Sequence, residues 1–314
     1  MFAARGAADV SLTSLIDEVT VHLAAVTHDI LGDAFWTSFA RGLHEGARQV
    51  DCTLEHVRPE RYTADRLRNL VDQVIASRPD GLLTTLPDPA ALDAPLRDAI
   101  ERGLPVIVLN TFDRRAPAAR LPALCAIGAD DREGGRLAAE KVLAAGRCRH
   151  ALCVDHYRVV NVCHGQRIDG FEARLHEAGV RVSRVRVDGR DLDGAARGLE
   201  AALAAMGPEL DAVLTLGPPG WAIADRVLRR RGLDQNVVHV TFDVTAAGLD
   251  AIEAGRTLGT IDCQQYLQGY LGVIVMSRYV TYGLLPCGDV VTGPRFVDTT
   301  LVPRLRARIA AGVA

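Results

Sequence analysis

Side chains that can bind hydroxyl groups recur directly after the short apolar runs that predict β-strands in this sequence. In open α/β sheets, ligands bind outside the carboxyl ends of the strands, so these positions are candidates for one shared site. Aromatic rings stack on the C–H faces of sugars, and carboxylates, amides and guanidinium groups hydrogen-bond to hydroxyls. The pattern therefore predicts a sugar or polyol site among His28, Asp29, Phe35, Trp36, Asp88, Asn110, Asp130, His156, Asn161, Arg167, Gly217, Trp221, Asp243, Asp262, Cys263 and Gln264.

Several of these residues also have a purely structural interpretation. Phe35 and Trp36 fit the first turn of a helix, where aromatic side chains usually belong to the core. Asp130 and Asp243 fit helix caps or turns, and the histidines fit loops in which a ring nitrogen is hydrogen-bonded. The sequence by itself leaves both interpretations open for each residue.

The sequence lacks the motifs of the common cofactor-dependent and hydrolytic enzymes. No G-x-G-x-x-G follows the first predicted strand, and neither G-x-x-x-x-G-K-[ST] nor G-x-S-x-G occurs. His156 and His164 lie near Cys153 and Cys163, but no third group is placed to orient a catalytic pair. No Cys, His or Asp cluster has metal-ligand spacing. We therefore expect a protein that is not an enzyme and has no cofactor or metal.

The composition predicts a folded protein of about two domains. The chain has 314 residues, of which 48% are apolar and 24% charged. Its formal net charge of −3 argues against a nucleic-acid partner. No apolar run reaches the ~18 residues of a membrane-spanning helix. The seven cysteines form no C-x-x-C pair, which predicts free thiols.

Strand and helix patterns alternate along the chain, which is typical of βαβ units and a parallel sheet. Continuous apolar strands are expected where both faces of a sheet are covered by helices. Because ten strands exceed one ordinary doubly wound sheet, we expect two sheets of about five. The predicted strands are 19–26, 54–57, 81–85, 105–110, 124–128, 151–154, 182–187, 212–216, 237–242 and 258–261.

The sequence resembles the type I periplasmic sugar-binding proteins, the ribose-binding-like family whose fold also forms the effector domain of lactose-repressor-type regulators. The resemblance runs from about Val19 to Val302. The segments that carry it are HDILGDAFW (28–36), RPDGLLTTLPDPAAL (78–92), GLPVIVLNT (103–111), IGADDREGGRLAAEKV (127–142), GQRIDGF (165–171), DAVLTLGPP (211–219), VTFDVTAAGLDAIEAGR (240–256) and IDCQQYLQGYLGV (261–273).

The resemblance implies an α/β fold of two doubly wound parallel-sheet lobes joined by three hinge crossings. The expected N-terminal lobe is 19–126 plus 262–289, the C-terminal lobe is 127–261 plus 290–314, and 1–18 form an extension. The crossings are expected near 125–128, 258–262 and 288–292. The ligand is then enclosed when the lobes close about the hinge.

The resemblance also implies roles for particular residues. Phe35 and Trp36 correspond to the stacking and packing aromatics of the first lobe, and Asp130 and Arg167 to a hydroxyl-binding acid and arginine. Asp243 corresponds to the acid that ends a strand of the second lobe. Asp262, Cys263 and Gln264 fall at the hinge, and Cys263 stands where many relatives have glutamine.

The function implied is that of an extracytoplasmic solute-binding protein of an ABC importer. Such a protein is expected to be a periplasmic monomer that binds a monosaccharide or polyol and docks to an ABC-transporter permease. One alternative is a sugar-sensing regulator, although only about 18 residues precede the first strand, where a DNA-binding part needs ~60. A less favoured alternative is an enzyme on a Rossmann-like scaffold. The N-terminus lacks the charged start and apolar core of a signal peptide, so a signal has been removed, the start site is late, or the chain is cytoplasmic.

Overall fold

The computed structural model describes residues 20–28, 34–115, 117–157, 160–206 and 209–313. The first strands and helices are β1 (His22–Val26), α1 (Ala34–Val50), β2 (Thr53–Val57), α2 (Ala64–Ala76), β3 (Gly81–Thr85), α3 (Pro89–Glu101), β4 (Val106–Asn110) and β5 (Cys125–Ala129). They are followed by α4 (Asp131–Ala145), β6 (His150–Asp155), α5 (Val162–Glu177), β7 (Arg181–Arg186), α6 (Leu192–Met206), β8 (Ala212–Thr215), α7 (Pro218–Arg230), β9 (Val238–Phe242), α8 (Ala246–Glu253) and β10 (Gly259–Asp262). The last are α9 (Gln265–Tyr282), β11 (Val290–Gly293), β12 (Arg295–Val297) and α10 (Val302–Ala310).

The strands form two six-stranded sheets, one in each lobe. The first has the order β11-β5-β4-β3-β1-β2 and the second the order β12-β10-β9-β8-β6-β7. All neighbouring strands are parallel except β12, which runs antiparallel to β10. The predicted α/β fold of two doubly wound lobes is therefore confirmed, and all ten predicted strands are present.

The burial of the residues distinguishes the central strands of each sheet from the edge strands. Every residue of β3, β4, β5, β6 and β8 is buried, as expected for strands covered by helices on both faces. The edge strands β2 and β7 contain only exposed and partly buried residues. β11 and β12 were not predicted, because they are short, only partly buried edge strands.

Three crossings join the lobes: between β5 and α4, between β10 and α9, and between β11 and β12. They lie side by side, since the Asp130 N–H donates to the Gly293 carbonyl at 3.0 Å and the Thr292 hydroxyl donates to the Cys263 carbonyl at 2.9 Å. β5 and β11 lie in the first sheet over their whole lengths, so that sheet extends past the expected lobe boundaries at 126 and 289.

In each lobe one pair of helices packs closely through glycines. α1 packs on α9 and α4 packs on α5. A methyl group at Gly135 would overlap the Arg167 carbonyl oxygen, and one at Gly170 would overlap the Arg132 carbonyl. The glycines thus set the depth at which α5 lies on α4, and with it the position of the Arg167 side chain.

Three sequence-based expectations concern the cysteines, membrane-spanning helices and the N-terminal extension. All seven cysteines are free, as predicted. None of the helices described is long and apolar enough to cross a membrane. The expected extension, residues 1–18, lies outside the described residues.

Candidate functional site

A narrow cleft with a cavity volume of about 40 Å³ lies between the lobes, at the carboxyl ends of both sheets. This volume is smaller than that of small-molecule sites, roughly 300–1,000 Å³, so the lobes lie close together in this structure. Both lobes contribute to its walls. The lining residues are His28, Phe35, Trp36, Asn110, His156, Tyr157, Asn161, Cys163, His164, Arg167, Leu216, Gly217, Pro218 and Asp243.

Arg167 is the central charged group of the cleft and is 5% exposed. Its Nε donates to Asp131 Oδ1 at 2.7 Å and its Nη1 donates to the Leu216 carbonyl at 2.7 Å. Asp243 Oδ2 lies 3.7 Å from Nη1, and the guanidinium sits over the Phe242 ring at 4.2 Å. Burial alone lowers the pKa of Arg167, but the two carboxylates raise it, so the guanidinium remains charged. Arg167 is thus held rigidly at the edge of the cleft.

The acid that holds Arg167 is Asp131, whereas the neighbouring Asp130, which the sequence resemblance indicated as a hydroxyl-binding acid, serves another contact. Asp130 caps α4 by accepting from the Glu133 N–H at 3.0 Å and pairs with Arg114, and it does not line the cleft. Asp131 is 1% exposed and belongs to the first turn of α4. Successive residues of a helix point about 100° apart. Asp130 and Asp131 therefore point in different directions, and one caps α4 while the other is buried against Arg167.

Three histidines line the cleft. His28 follows β1 of the first lobe, His156 follows β6, and His164 lies on α5. The rings of His156 and His164 are 4.7 Å apart. Burial, with the neighbouring His164, lowers the pKa of His28 to about 3. Burial also lowers the pKa of both second-lobe histidines, partly offset at His164 by Asp155. Burial therefore favours the neutral form of these rings.

The aromatic wall comes from the first turn of α1. Phe35 and Trp36 are buried in the core and also line the cleft. Their rings meet edge to face at 4.9 Å, and Trp36 meets His28 in the same way at 4.7 Å. Such contacts fix the indole so that it can offer a flat apolar surface to a ligand.

Asn110, Asn161 and Gly217 complete the predicted residues of the cleft. Asn110 ends β4 with φ +71° and donates from Nδ2 to Gln268 Oε1 at 3.1 Å. Asn161 caps α5, its Oδ1 accepting from the Cys163 N–H at 3.0 Å. Gly217 precedes α7 and leaves the cleft floor without a side chain. The two asparagines therefore hold the walls in place as well as lining them.

The lobes touch directly beside the cleft, at the first turn of α5. The Val162 N–H donates to the Pro87 carbonyl of the first lobe at 3.1 Å. Cys163 Sγ lies 3.0 Å from Thr111 Oγ1, also in the first lobe. These contacts join the two lobes at one end of the cleft.

Two predicted residues lie outside the cleft because they serve helix and loop contacts. Asp88 caps α3 by accepting from the Ala90 N–H at 3.1 Å. Trp221 lies in the first turn of α7, and its Nε1 donates to Thr257 Oγ1 at 3.1 Å. Asp29 lies outside the described residues.

The three hinge residues do not line the cleft either. Asp262 is fully buried and pairs with Arg308 of α10. Gln264 donates from its side chain to a backbone carbonyl on β11. Cys263 is the nearest to the site, with Sγ 3.8 Å from Arg167 Nη2. All three residues therefore serve the crossings between the lobes, and Cys263 also contacts Arg167.

Sequence reasoning missed some lining residues, namely Tyr157, Cys163, His164, Leu216 and Pro218, and the buried acid Asp131. Cys163, His164 and Arg167 share one face of α5, at spacings of three and four residues. Extending the analysis from strand ends to the first turns of the following helices could have found them.

Comparison with known proteins gives one family. The family described as periplasmic binding protein domain matches residues 24–283. A D-ribose/D-allose-binding protein of Pseudomonas aeruginosa is 24% identical over 231 residues, which are 73% of this chain and 72% of the relative. A xylose/arabinose-binding protein of Sulfolobus acidocaldarius is 22% identical over 287 residues, 87% of this chain and 70% of the relative.

A solved structure is similar over nearly the whole chain. It is a carbohydrate transporter from Acidothermus cellulolyticus in complex with myo-inositol, 27% identical in sequence. The superposition covers 94% of this chain and 100% of that chain, with a TM-score of 0.84. The two-lobed fold is therefore shared with a protein that has been observed with a cyclic polyol.

Proposed function

The chain belongs to the periplasmic binding protein domain family, and from this we propose that it binds an uncharged monosaccharide or cyclic polyol between its lobes. The observation that carries the proposal is the composition of the cleft. Trp36 and Phe35 line it from the first lobe, and Arg167 and Asp243 line it from the second. An apolar ring face and a fixed set of charged hydrogen-bonding groups match the two kinds of surface on a sugar or cyclitol.

The charges of the described cleft favour an uncharged ligand. Arg167 is already engaged by two carboxylates, Asp131 and Asp243. Among the described lining residues, no other arginine or lysine is present to bind a phosphate or carboxylate. Sugar phosphates and sugar acids would therefore place a negative charge beside the cleft carboxylates.

The relatives narrow the set of ligands to test. The similar proteins named above bind ribose or allose and xylose or arabinose, and one was crystallised with myo-inositol. We propose that the ligand of this chain belongs to the same range of pentoses, hexoses and cyclitols. Binding is reversible and leaves the ligand chemically unchanged.

Titration calorimetry tests this proposal with D-ribose, D-allose, D-xylose, L-arabinose and myo-inositol. D-ribose 5-phosphate and D-glucuronate serve as charged counterparts. At least one neutral compound should bind, and it should be recovered unchanged by chromatography afterwards. Because a ligand that binds only the folded state raises apparent stability, the same compound should also raise the melting temperature. Equal binding of a charged counterpart would contradict the proposed ligand class.

We further propose that the protein acts as a monomer outside the cytoplasm and delivers its ligand to an ABC-transporter permease. The carbohydrate transporter similar to this chain supports that role. Deleting the gene should abolish high-affinity uptake of the radiolabelled ligand. If deletion altered the expression of other genes and left uptake intact, the chain would be a sugar-sensing regulator instead.

A further inference from the structure

The three histidines that line the cleft come from both lobes. His28 belongs to the first lobe, and His156 and His164 belong to the second. All three are at least nine-tenths buried and line the same cleft. His28 packs edge to face against Trp36 at 4.7 Å, and His156 packs in the same way against His164 at 4.7 Å.

Hydrogen bonds leave part of each ring available to a ligand. His28 Nδ1 lies 2.8 Å from Thr85 Oγ1, and His164 Nδ1 lies 2.9 Å from Asp155 Oδ1. The Nε2 atoms of these two rings have no hydrogen-bond partner among the described residues. His156 Nδ1 is buried and also lacks a partner there. A buried polar atom without a partner is costly, so a ligand hydroxyl or water is expected to satisfy it.

The described surroundings of the three rings contain too little negative charge to balance three protonated histidines. The carboxylates near the rings are Asp131, Asp155 and Asp243, and the arginines are Arg167 and Arg186. Tyr62, Tyr157 and Cys163 are the remaining titratable neighbours. Among the described residues, three carboxylates against two arginines leave a surplus of one negative charge, which cannot neutralise three imidazolium rings lining one cleft.

Given the proposed function, we propose that His28, His156 and His164 form a ligand-contacting cluster that must be neutral for the lobes to close, so that acid releases the ligand. When the lobes separate, the rings regain water and can accept protons. When the lobes close around the ligand, these protons must leave. Ligand affinity is therefore linked to pH through the histidines.

The direction of the linkage follows from the closed cleft. Burial there lowers the pKa of His28 to about 3 and lowers those of the other two rings. A hydrated imidazole has a pKa of about 6.5. Affinity is therefore fully present above about pH 6.5 and falls below it, by up to about tenfold per pH unit for each ring that gains a proton on opening.

Calorimetry with D-ribose, D-allose, D-xylose, L-arabinose and myo-inositol as probes, each at pH 8 and at pH 5.5, tests the proposal. At least one probe should bind at pH 8 and bind about tenfold or more weakly at pH 5.5, while circular dichroism shows the protein still folded. At pH 5.5, titrations in two buffers of different ionisation enthalpy should show protons released on binding.

His164→Gln and His176→Gln make a matched pair on α5. His164 lines the cleft, whereas His176 is exposed at the far end of the same helix. The first variant should release fewer protons and lose part of the pH dependence, and the second should behave as the unaltered protein does. Absence of binding by all five probes at pH 8 would contradict the proposed function. Equal affinities at the two pH values, or equal proton release by both variants, would overturn the histidine proposal alone.

Discussion

Replacing Asp243 by asparagine tests whether this carboxylate serves the ligand or only the fold. Asp243 directly follows β9, is 8% exposed and has φ +69°. Asparagine adopts this left-handed conformation readily and has nearly the same shape. Asp243→Asn therefore removes a charge from the cleft without forcing the backbone to move.

The structure indicates that the fold loses little by this change. Asp243 Oδ2 is 3.7 Å from Arg167 Nη1, whereas Asp131 Oδ1 is 2.7 Å from Arg167 Nε. Arg167 thus keeps its nearer counter-ion and its bond to the Leu216 carbonyl. We expect the free energy of unfolding without ligand to fall by less than about 1 kcal/mol, which for a chain of this size shifts the melting temperature by no more than about 4 °C.

The ligand complex should lose much more. A hydrogen bond from a ligand hydroxyl to a charged acceptor contributes roughly 1.5–3 kcal/mol. Its loss corresponds to about a 10- to 150-fold weaker Kd, because each 1.4 kcal/mol is a factor of ten. A small loss of stability without ligand, together with a large loss of ligand affinity, is the result expected if this carboxylate binds the ligand.

The measurements are calorimetric titration of a neutral ligand that binds the unaltered protein, and differential scanning calorimetry without ligand. Asp250→Asn is the control, since Asp250 is an exposed acid on α8 and pairs with Arg306. The control should leave the Kd unchanged. An unchanged Kd in Asp243→Asn would remove this residue from the site, and a large fall in melting temperature with an unchanged Kd would assign it to the fold.

Three further predictions follow from other parts of the structure. Trp36→Phe should abolish the change in tryptophan fluorescence on ligand binding, and Trp221→Phe should retain it, because of the two tryptophans only Trp36 lines the cleft. The reverse result would show that the ligand does not bind in this cleft. Gly135→Ala should lower the free energy of unfolding by about 1–3 kcal/mol or more in urea titrations, since its methyl group meets the α5 backbone, and an unaltered midpoint would contradict that packing. His239 is buried with its pKa lowered to about 3 by burial, below the unfolded value of about 6.5, so its contribution to stability is present above pH 6.5 and is lost as the pH falls toward 3. Urea unfolding at pH 7.5 and pH 5 should show this loss, and His239→Gln should show a smaller one than the unaltered protein.

The sequence determined the fold and much of the cleft. Apolar runs such as Pro105–Asn110 are long enough for a strand and too short for a helix. The positions of these strands could therefore be predicted from the local sequence without knowledge of tertiary contacts. Parallel strands must all end at one edge of a sheet, and this placed His28, Asn110 and Asp243 together in the cleft. These inferences need only local pattern and the topology of βαβ units.

Only the tertiary structure decided which residue of a helix's first turn faces the cleft. Asp130 and Asp131 are chemically alike and adjacent, yet one caps α4 and the other is buried against Arg167. Asp262 is a strand-end acid like Asp243, but α10 brings Arg308 onto it and draws it into the hinge. His164 joined the site because α5 docks on the first lobe and turns that face of the helix inward. These contacts depend on how each helix is rotated and on residues that are distant in the chain. The spacing of residues along one segment specifies neither.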